Sequence, residues 1–352
     1  MRKRRLSISF GSICLVLMLV VALLVACAPA RVPAPAPAPK PAPAPTPAPA
    51  PTKAPIVLKA VSHASPELVQ VAGFRMLVEK INEELKGELR IELSGGPAVM
   101  PPLEVHEAAR SGAIDIASTP GTYYGLRPAE AMQYTNLTEE EIHASTQLYD
   151  LMVKVHEKIG LRYLGDSMCY VQFFMWTNKK VETPWDFAGQ KIRVYPAVVA
   201  LAKALGCAPV TLSVPDIYPA MERGVIDGFI KDLMGSITEQ HYDEVTKYLI
   251  GHGFYRGTMN ILMNLNTWNK LPQNLRDRIV QIKANLNPEL RKYFYKRFTD
   301  DWQLVEKSSM KIIKFSPSDE KAFLRLVYDV GWKTVIEADP ELGPVLRDIL
   351  YK

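Results

Sequence analysis

Arg193 is the residue of this sequence whose chemistry is best defined. It closes the segment 189–193 (GQKIR), in which a glycine turn leads into a short strand that carries the arginine. A guanidinium group is planar, permanently charged and presents a fork of donors that matches two carboxylate oxygens. The residue type therefore fits a carboxylate-binding site, and it also fits a structural arginine that caps a loop or pairs with a surface acid.

Four further side chains could complete a site for a small anion. Lys231 could supply a second positive charge, or it could be paired with its neighbour Asp232. Tyr123, Trp176 and Phe229 could provide the apolar walls that ligand clefts need, although core packing explains each of them at least as well. We retain these four side chains as predicted ligand contacts.

Catalytic and metal-binding motifs are not found in the sequence. It has no G-x-S-x-G, H-E-x-x-H or P-loop pattern, and its six histidines are scattered. Cys169 and Cys207 follow the amino-terminal segment and form no C-x-x-C pattern. We predict a binding protein without enzymatic activity, cofactor or metal, and two buried free thiols, although an oxidising compartment would allow a disulfide between them.

The amino-terminal segment has the layout of a secretory signal. Residues 2–5 are basic, an uncharged run from Ile13 to Ala26 follows, and residues 24–27 (LVAC) resemble a bacterial lipobox. In a lipobox the leader is cleaved before the cysteine, whose thiol is acylated. We predict that residues 1–27 are a lipoprotein signal with Cys27 as the lipidated residue, rather than a transmembrane anchor. The protein would then be extracytoplasmic and held at the membrane by lipid.

Residues 28–55 alternate proline and alanine almost without interruption. Such a segment cannot build a core and favours the extended polyproline conformation. At about 3.1 Å per residue it could reach roughly 85 Å. We predict a semi-rigid tether between the lipid and a globular part.

The charge of the mature chain excludes nucleic acid as a partner. The 42 Lys and Arg residues include four in the leader, so 38 remain against 37 Asp and Glu. A nucleic-acid-binding protein needs a basic patch or stripe, and the sequence contains none.

Strands and helices alternate along the rest of the chain. Residues 56–61 and 89–93 read as strands, and the pattern restarts with strands over 171–177 and 191–194. The final long helix begins at Leu275 and contains Pro288, which predicts a kink or a break. An amphipathic helix over residues 69–85 has an apolar face made by Val71, Phe74, Leu77, Val78 and Ile81. This alternation predicts α/β lobes with mostly parallel sheets, and the chain is long enough for two of them.

Six short motifs occur in a specific order along residues 56–352. They are the segments 103–116 (LEVHEAARSGAIDI), 187–194 (FAGQKIRV), 205–210 (LGCAPV), 216–224 (DIYPAMERG), 225–228 (VIDG) and 266–272 (NTWNKLP). Together they resemble the substrate-binding subunits of TRAP transporters, the DctP-like family.

This resemblance implies a bilobed fold like that of periplasmic binding proteins, in which hinge strands join two α/β lobes that close on a ligand. It places residues 56–170 and 259–298 in lobe I and residues 171–258 and 299–352 in lobe II, with a long C-terminal helix spanning both. It also implies that the protein captures a small organic carboxylate between the lobes and delivers it to the membrane permease subunits of a TRAP-type secondary transporter.

The resemblance also assigns roles to individual residues. Arg193 matches the arginine of the family's G-x-K-x-R segment, which holds the ligand carboxylate. Many members carry a second arginine at the position of Gln172–Phe173, where this sequence has none. We expect Gln172 and Phe173 among the ligand contacts, with Lys231 as one possible replacement for the missing charge, and the departure leaves the identity of the acid open.

Two other functions share some of these features. The binding subunit of an ABC importer or of a receptor is built on the same bilobed plan, and a cell-surface enzyme is a more distant alternative. A TRAP-type permease gene beside this one would distinguish the first alternative, and turnover of an ester, peptide or glycoside would establish the second.

Overall fold

The structure is a computed structural model and describes residues 54–352. The predicted leader, Cys27 and all but the last two residues of the predicted tether lie outside the described residues. Within residues 54–352, none of the helices combines the length and the apolar character that crossing a bilayer requires.

The described chain forms strands and helices in alternation. The strands are β1 (Ile56–Ser62), β2 (Leu89–Gly95), β3 (Ile116–Pro120), β4 (Leu161–Asp166), β5 (Phe173–Thr177), β6 (Lys191–Val194), β7 (Ala208–Thr211), β8 (Gly228–Asp232), β9 (Tyr248–Ile250), β10 (Met259–Asn264) and β11 (Lys311–Ile313). The helices are α1 (Val69–Glu84), α2 (Val105–Ser111), α3 (Arg127–Ala131), α4 (Glu139–Ala144), α5 (Thr146–Glu157), α6 (Val199–Ala204), α7 (Ile217–Glu222), α8 (Leu265–Lys270), α9 (Gln273–Lys307), α10 (Pro317–Ala338) and α11 (Leu342–Leu350).

The strands make two sheets, and each sheet is the centre of one lobe. The first lobe has five strands in the order β2-β1-β3-β10-β4, and the second has six in the order β11-β9-β5-β8-β6-β7. Helices cover both faces of each sheet, as the predicted α/β lobes require. The two-lobed α/β fold predicted from the sequence is confirmed.

The first lobe shows how the apolar pattern directs packing. All five residues of the predicted apolar face of α1 are buried: Val71, Phe74, Leu77, Val78 and Ile81. They pack with Leu58 of β1 and with α9 on one side of the sheet. Val61, which alternation turns to the other face of β1, joins a second cluster with α2, α5 and α11.

The sheets are mostly parallel, as the sequence predicts, and each contains one strand that runs against the others. In the first lobe β10 is antiparallel to both β3 and β4, and in the second lobe β5 is antiparallel to β8 and β9. Both strands directly follow a segment that passes from one lobe to the other. The other strands of each sheet have their carboxyl ends directed toward the opposite lobe. A strand that enters the sheet from that lobe therefore runs in the reverse direction.

The two connecting segments, 167–172 and 251–258, lie side by side. The Gly257 amide donates to the Val171 carbonyl at 2.7 Å, and Gln172 and Arg256 form an antiparallel bridge. These paired segments correspond to the hinge that the resemblance implies.

Helix α9 runs without interruption from Gln273 to Lys307 and contains Pro288. The predicted alternative of a break is therefore wrong. Leu286 and Leu290, on either side of the proline, are buried in the first-lobe core, and this packing outweighs the backbone hydrogen bond that a proline removes. Val305 near the end of the helix packs in the second lobe, so the helix spans both lobes.

The C-terminal helices contact both lobes. Phe323 of α10 lies in a second-lobe cluster, whereas Trp332, also in α10, lies in a first-lobe cluster with Leu346 and Leu350 of α11. The assignment of residues 299–352 to lobe II stays a prediction about which lobe they would move with.

Candidate ligand-binding cleft

The cleft lies where strands of both lobes end. In the first lobe His63 follows β1 and Thr119 is near the end of β3, and in the second lobe Tyr195 follows β6 and Asp232 ends β8. In open α/β sheets, ligands bind outside the carboxyl ends of the strands. Direct contacts join the lobes here: the Tyr134 hydroxyl donates to the carbonyl of Ala197 at 3.4 Å.

Arg193 is buried at the centre of this region, with 3% of its surface exposed. Its Nε donates to the Leu212 carbonyl at 2.9 Å, and its Nη1 donates to the Ile230 carbonyl at 3.2 Å. Within residues 54–352 these are its hydrogen-bond partners, which leaves three of the five guanidinium N–H groups without an acceptor. Burial lowers the pKa of Arg193, although Tyr123 and Asp232 act in the opposite direction.

Tyr123 is a first-lobe residue that lies near Arg193. Its ring stands edge-on to the ring of His63, with centroids 6.0 Å apart. Burial raises the pKa of Tyr123, and the charges of Arg193 and Asp232 act on it in opposite directions. A first-lobe tyrosine thus lies within electrostatic range of two second-lobe charges.

Lys231 and Asp232 form an ion pair at the carboxyl end of β8. Their side chains are only 6% and 8% exposed, respectively. Of the two alternatives for Lys231, pairing with Asp232 is the arrangement in the structure. The pair also lies close to His63 of the first lobe. Burial is the main cause that lowers the pKa of His63 to about 4, and the charge of Lys231 acts in the same direction.

An aromatic cluster forms the wall beside the hinge. Phe173 stacks on Tyr255 with centroids 4.6 Å apart and planes 8° from parallel, and Tyr195 lies 5.7 Å from Phe173. The Arg193 guanidinium lies 5.8 Å from the centre of the Tyr195 ring, within the range of a cation–π contact. The hydroxyls of Tyr195 and Tyr255 are buried and have no hydrogen-bond partner among the described residues.

Three of the predicted contacts are not brought to this cleft. Trp176 and Phe229 are fully buried and stack on each other in a second-lobe core cluster. Core packing therefore accounts for both, and a ligand would not reach them. Gln172 is exposed, and its side-chain oxygen lies against Gly253 of the second connecting segment.

Tyr195 and Tyr255 are cleft residues that the sequence reasoning missed. A signal for Tyr195 was available, because it lies two positions after Arg193 and a strand places such residues on one face. Tyr255 lies in a connecting segment without periodicity, so no local pattern identifies it.

A second group of buried charges lies behind the cleft, at the hinge. Arg256 binds both oxygens of Glu139, at 3.0 and 2.9 Å, and contacts Asp166 at 2.7 Å. It also donates to the Met168 carbonyl at 3.3 Å. Burial raises the pKa of Asp166, and the charge of Arg256 opposes this. The group holds the second connecting segment to the first lobe.

Glu139 also belongs to the one trio of the described residues whose atoms could together hold a metal ion, with His143 and Cys169. Both Glu139 oxygens already accept hydrogen bonds from Arg256. Burial raises the pKa of the Cys169 thiol, and metal binding needs the thiolate. The ion network therefore explains this trio better than a metal site does. Cys169 and Cys207 are both buried free thiols, which confirms that prediction.

A surface cavity of about 520 Å³ lies on the second lobe, away from Arg193. Within its lining the Tyr218 hydroxyl donates to Glu244 at 2.7 Å.

Comparison with known proteins gives a family match over most of the chain. A family model described as bacterial extracellular solute-binding protein, family 7 (DctP), matches residues 61–335. The chain is 22% identical over 228 residues to the monocarboxylate 2-oxoacid-binding periplasmic protein of Nostoc sp.. That alignment covers 61% of this chain and 62% of the Nostoc protein, which is just under two thirds of its length.

Solved structures share the fold. A TRAP periplasmic solute-binding protein of Desulfovibrio salexigens, with bound orotic acid, superimposes with a TM-score of 0.74 at 19% identity, over 84% of this chain and 97% of that one. The extracytoplasmic solute receptor DctP7 of Bordetella pertussis, which binds pyroglutamic acid, gives a TM-score of 0.73 at 16% identity, over 84% and 99% of the two chains.

Proposed function

Because this chain belongs to the DctP family of bacterial extracellular solute-binding proteins, family 7, we propose that it is the receptor subunit of a TRAP-type transporter. It captures a small organic carboxylate between its two lobes and presents it to membrane permease subunits. The bound acids of the D. salexigens and B. pertussis proteins, orotic and pyroglutamic acid, support this ligand class.

Arg193 is the group that holds the carboxylate in this proposal. The observation that carries it is a buried guanidinium between strand ends of both lobes, bonded to two backbone carbonyls and to no carboxylate of residues 54–352. A buried charge is costly unless it is paired. A ligand carboxylate that binds the remaining N–H groups satisfies this need, and the closed cleft strengthens those bonds by excluding water.

Binding without turnover is also part of the proposal. His63 is the histidine at the strand ends, and its pKa of about 4, lowered mainly by burial, leaves it neutral at physiological pH. Its Nδ1 has no hydrogen-bond partner within residues 54–352, whereas a catalytic histidine is usually oriented by an acid. These features of His63 support our proposal that the ligand is released unchanged.

A thermal-shift screen of the purified protein against a library of organic acids tests this function. A ligand at 100 times its Kd stabilises a protein by about 2.7 kcal/mol. We expect one or more small carboxylates to raise the melting temperature, while their amides do not. A library in which no carboxylate has an effect would contradict the proposed function.

We propose further that Cys27 carries the lipid that keeps the protein at the membrane surface. Cys27→Ser should leave an unprocessed precursor and abolish labelling by a fatty-acid analogue in cells. The matched control is Cys14→Ser, a substitution in the same leader. This variant should be labelled by the fatty-acid analogue at the wild-type level. Labelling of the Cys27→Ser variant at the wild-type level would refute the lipid anchor.

A further inference from the structure

Among the charged side chains of the described residues around the strand ends, Arg193 is the cation that has no carboxylate partner. Lys231 and Asp232 pair with each other, and His63 is neutral at physiological pH because burial lowers its pKa to about 4. Glu239 accepts a hydrogen bond from the Val69 amide at 3.3 Å and lies 3.9 Å from Arg297, which also pairs with Asp301 at 3.0 Å. Arg193 is then the cation with which a ligand carboxylate can pair.

Asp232 does more than neutralise Lys231. One of its oxygens contacts Lys231, while Oδ1 is buried without a hydrogen-bond partner among the described residues. The residue is 6% exposed, so bulk water does not solvate this oxygen freely. Buried carboxylate oxygens are normally satisfied by donors, and a ligand hydroxyl, ammonium or N–H group would serve as one.

Asp232 is positioned next to other residues of the cleft. Asp232 pairs in register with Phe173 of β5, and Phe173 stacks on Tyr255 in the aromatic wall. The charge of Asp232 acts on the pKa of both Tyr123 and Arg193, where burial is the larger influence. A ligand held by Arg193 and bounded by Tyr123 and Phe173 would therefore be within electrostatic range of the Asp232 carboxylate.

We propose that Asp232 determines the charge selectivity of this cleft, which accepts a carboxylate of single negative charge that also carries a hydrogen-bond donor. This inference rests on the proposed function. A second carboxylate on the ligand would meet the like charge of Asp232 in a poorly solvated site, and such repulsion lowers affinity by at least about tenfold. Selectivity between acids would then depend on a repulsive group as well as an attractive one.

Three small acids of similar length separate these effects. Malate differs from 2-hydroxybutyrate in having a carboxylate in place of the terminal methyl group, and butyrate lacks the hydroxyl. Calorimetry on the wild-type protein should show 2-hydroxybutyrate binding at least about tenfold more tightly than either malate or butyrate. Asp232→Asn keeps the size of the side chain and removes its charge, so it should improve malate relative to 2-hydroxybutyrate by at least about tenfold.

Asp227→Asn is the matched control. Asp227 precedes β8, at the opposite end of the strand from the cleft, and pairs with Lys179 at 3.0 Å. Its substitution should leave the ratio of the affinities for malate and 2-hydroxybutyrate unchanged, and circular dichroism establishes that both variants are folded.

The outcomes distinguish this inference from the proposed function. Wild-type protein that binds malate as tightly as 2-hydroxybutyrate, or an Asp232→Asn variant with an unchanged ratio, would overturn the inference and leave the proposed function intact. Failure of all three acids to bind, while the wider library yields a carboxylate ligand, would also overturn the inference. Only a library without any carboxylate ligand would refute the function itself.

Discussion

Arg193→Ala is expected to weaken binding of the cognate acid by roughly 30-fold to several thousandfold. Removal of one partner of a buried, hydrogen-bonded ion pair typically costs about 2–5 kcal/mol, and about 1.4 kcal/mol corresponds to a tenfold change in Kd. Arg193 is buried and makes its protein hydrogen bonds to carbonyls, so the ligand is its proposed counter-ion. Isothermal titration calorimetry measures the effect.

Two further variants make this test specific. Arg193→Lys should recover only part of the affinity, because an ammonium keeps the charge but lacks the guanidinium fork. Lys191→Ala removes an exposed cation from the same strand and should leave Kd unchanged. A folded Arg193→Ala protein that binds its acid within threefold of wild type would show that the arginine is structural.

Arg256→Met is expected to lower the free energy of unfolding by about 3–5 kcal/mol. The substitution leaves the carboxylates of Glu139 and Asp166, which are only 5% and 4% exposed, buried without their cation. Because Arg256 lies in one connecting segment and also binds the Met168 carbonyl of the other, the loss falls on the hinge region. Urea denaturation followed by circular dichroism measures it.

The cause of this loss can be separated from the loss of side-chain packing. Adding Glu139→Gln and Asp166→Asn to Arg256→Met removes the unpaired charges, and the triple variant should regain part of the lost stability. Arg278→Ala removes a cation from a pair with Glu88 in which both side chains are more than 40% exposed, and it should change stability little. A loss below about 1 kcal/mol for Arg256→Met would contradict the role assigned to this network.

The amino-acid pattern predicts the elements of this fold well where periodicity is strong. The apolar face of α1 follows from spacing alone, because burial on one face imposes a fixed period on the sequence. The break considered at Pro288 is not found in α9. The core contacts of Leu286 and Leu290 are long-range, so the local sequence does not reveal them. The one reversed strand of each sheet was not predicted, because its direction depends on which segments pass between the lobes.

The site could be predicted only in part. Arg193 was proposed from its segment and from the resemblance and stays a prediction as a ligand contact, and the Lys231–Asp232 pair was one of two stated alternatives. Trp176 and Phe229 were retained as possible apolar walls of the cleft, and residue type alone does not show whether helices cover that side of a sheet. Tyr255 meets Phe173 through the tertiary fold, and no sequence pattern reports such a contact.

The most direct test of the account is a crystal structure of the protein with the tightest-binding acid from the library. We expect the ligand between the two lobes, with its carboxylate within about 3 Å of the Arg193 guanidinium nitrogens and the Tyr195 and Tyr255 hydroxyls facing it. A ligand bound elsewhere, or bound in the cleft with its carboxylate away from Arg193, would contradict the account.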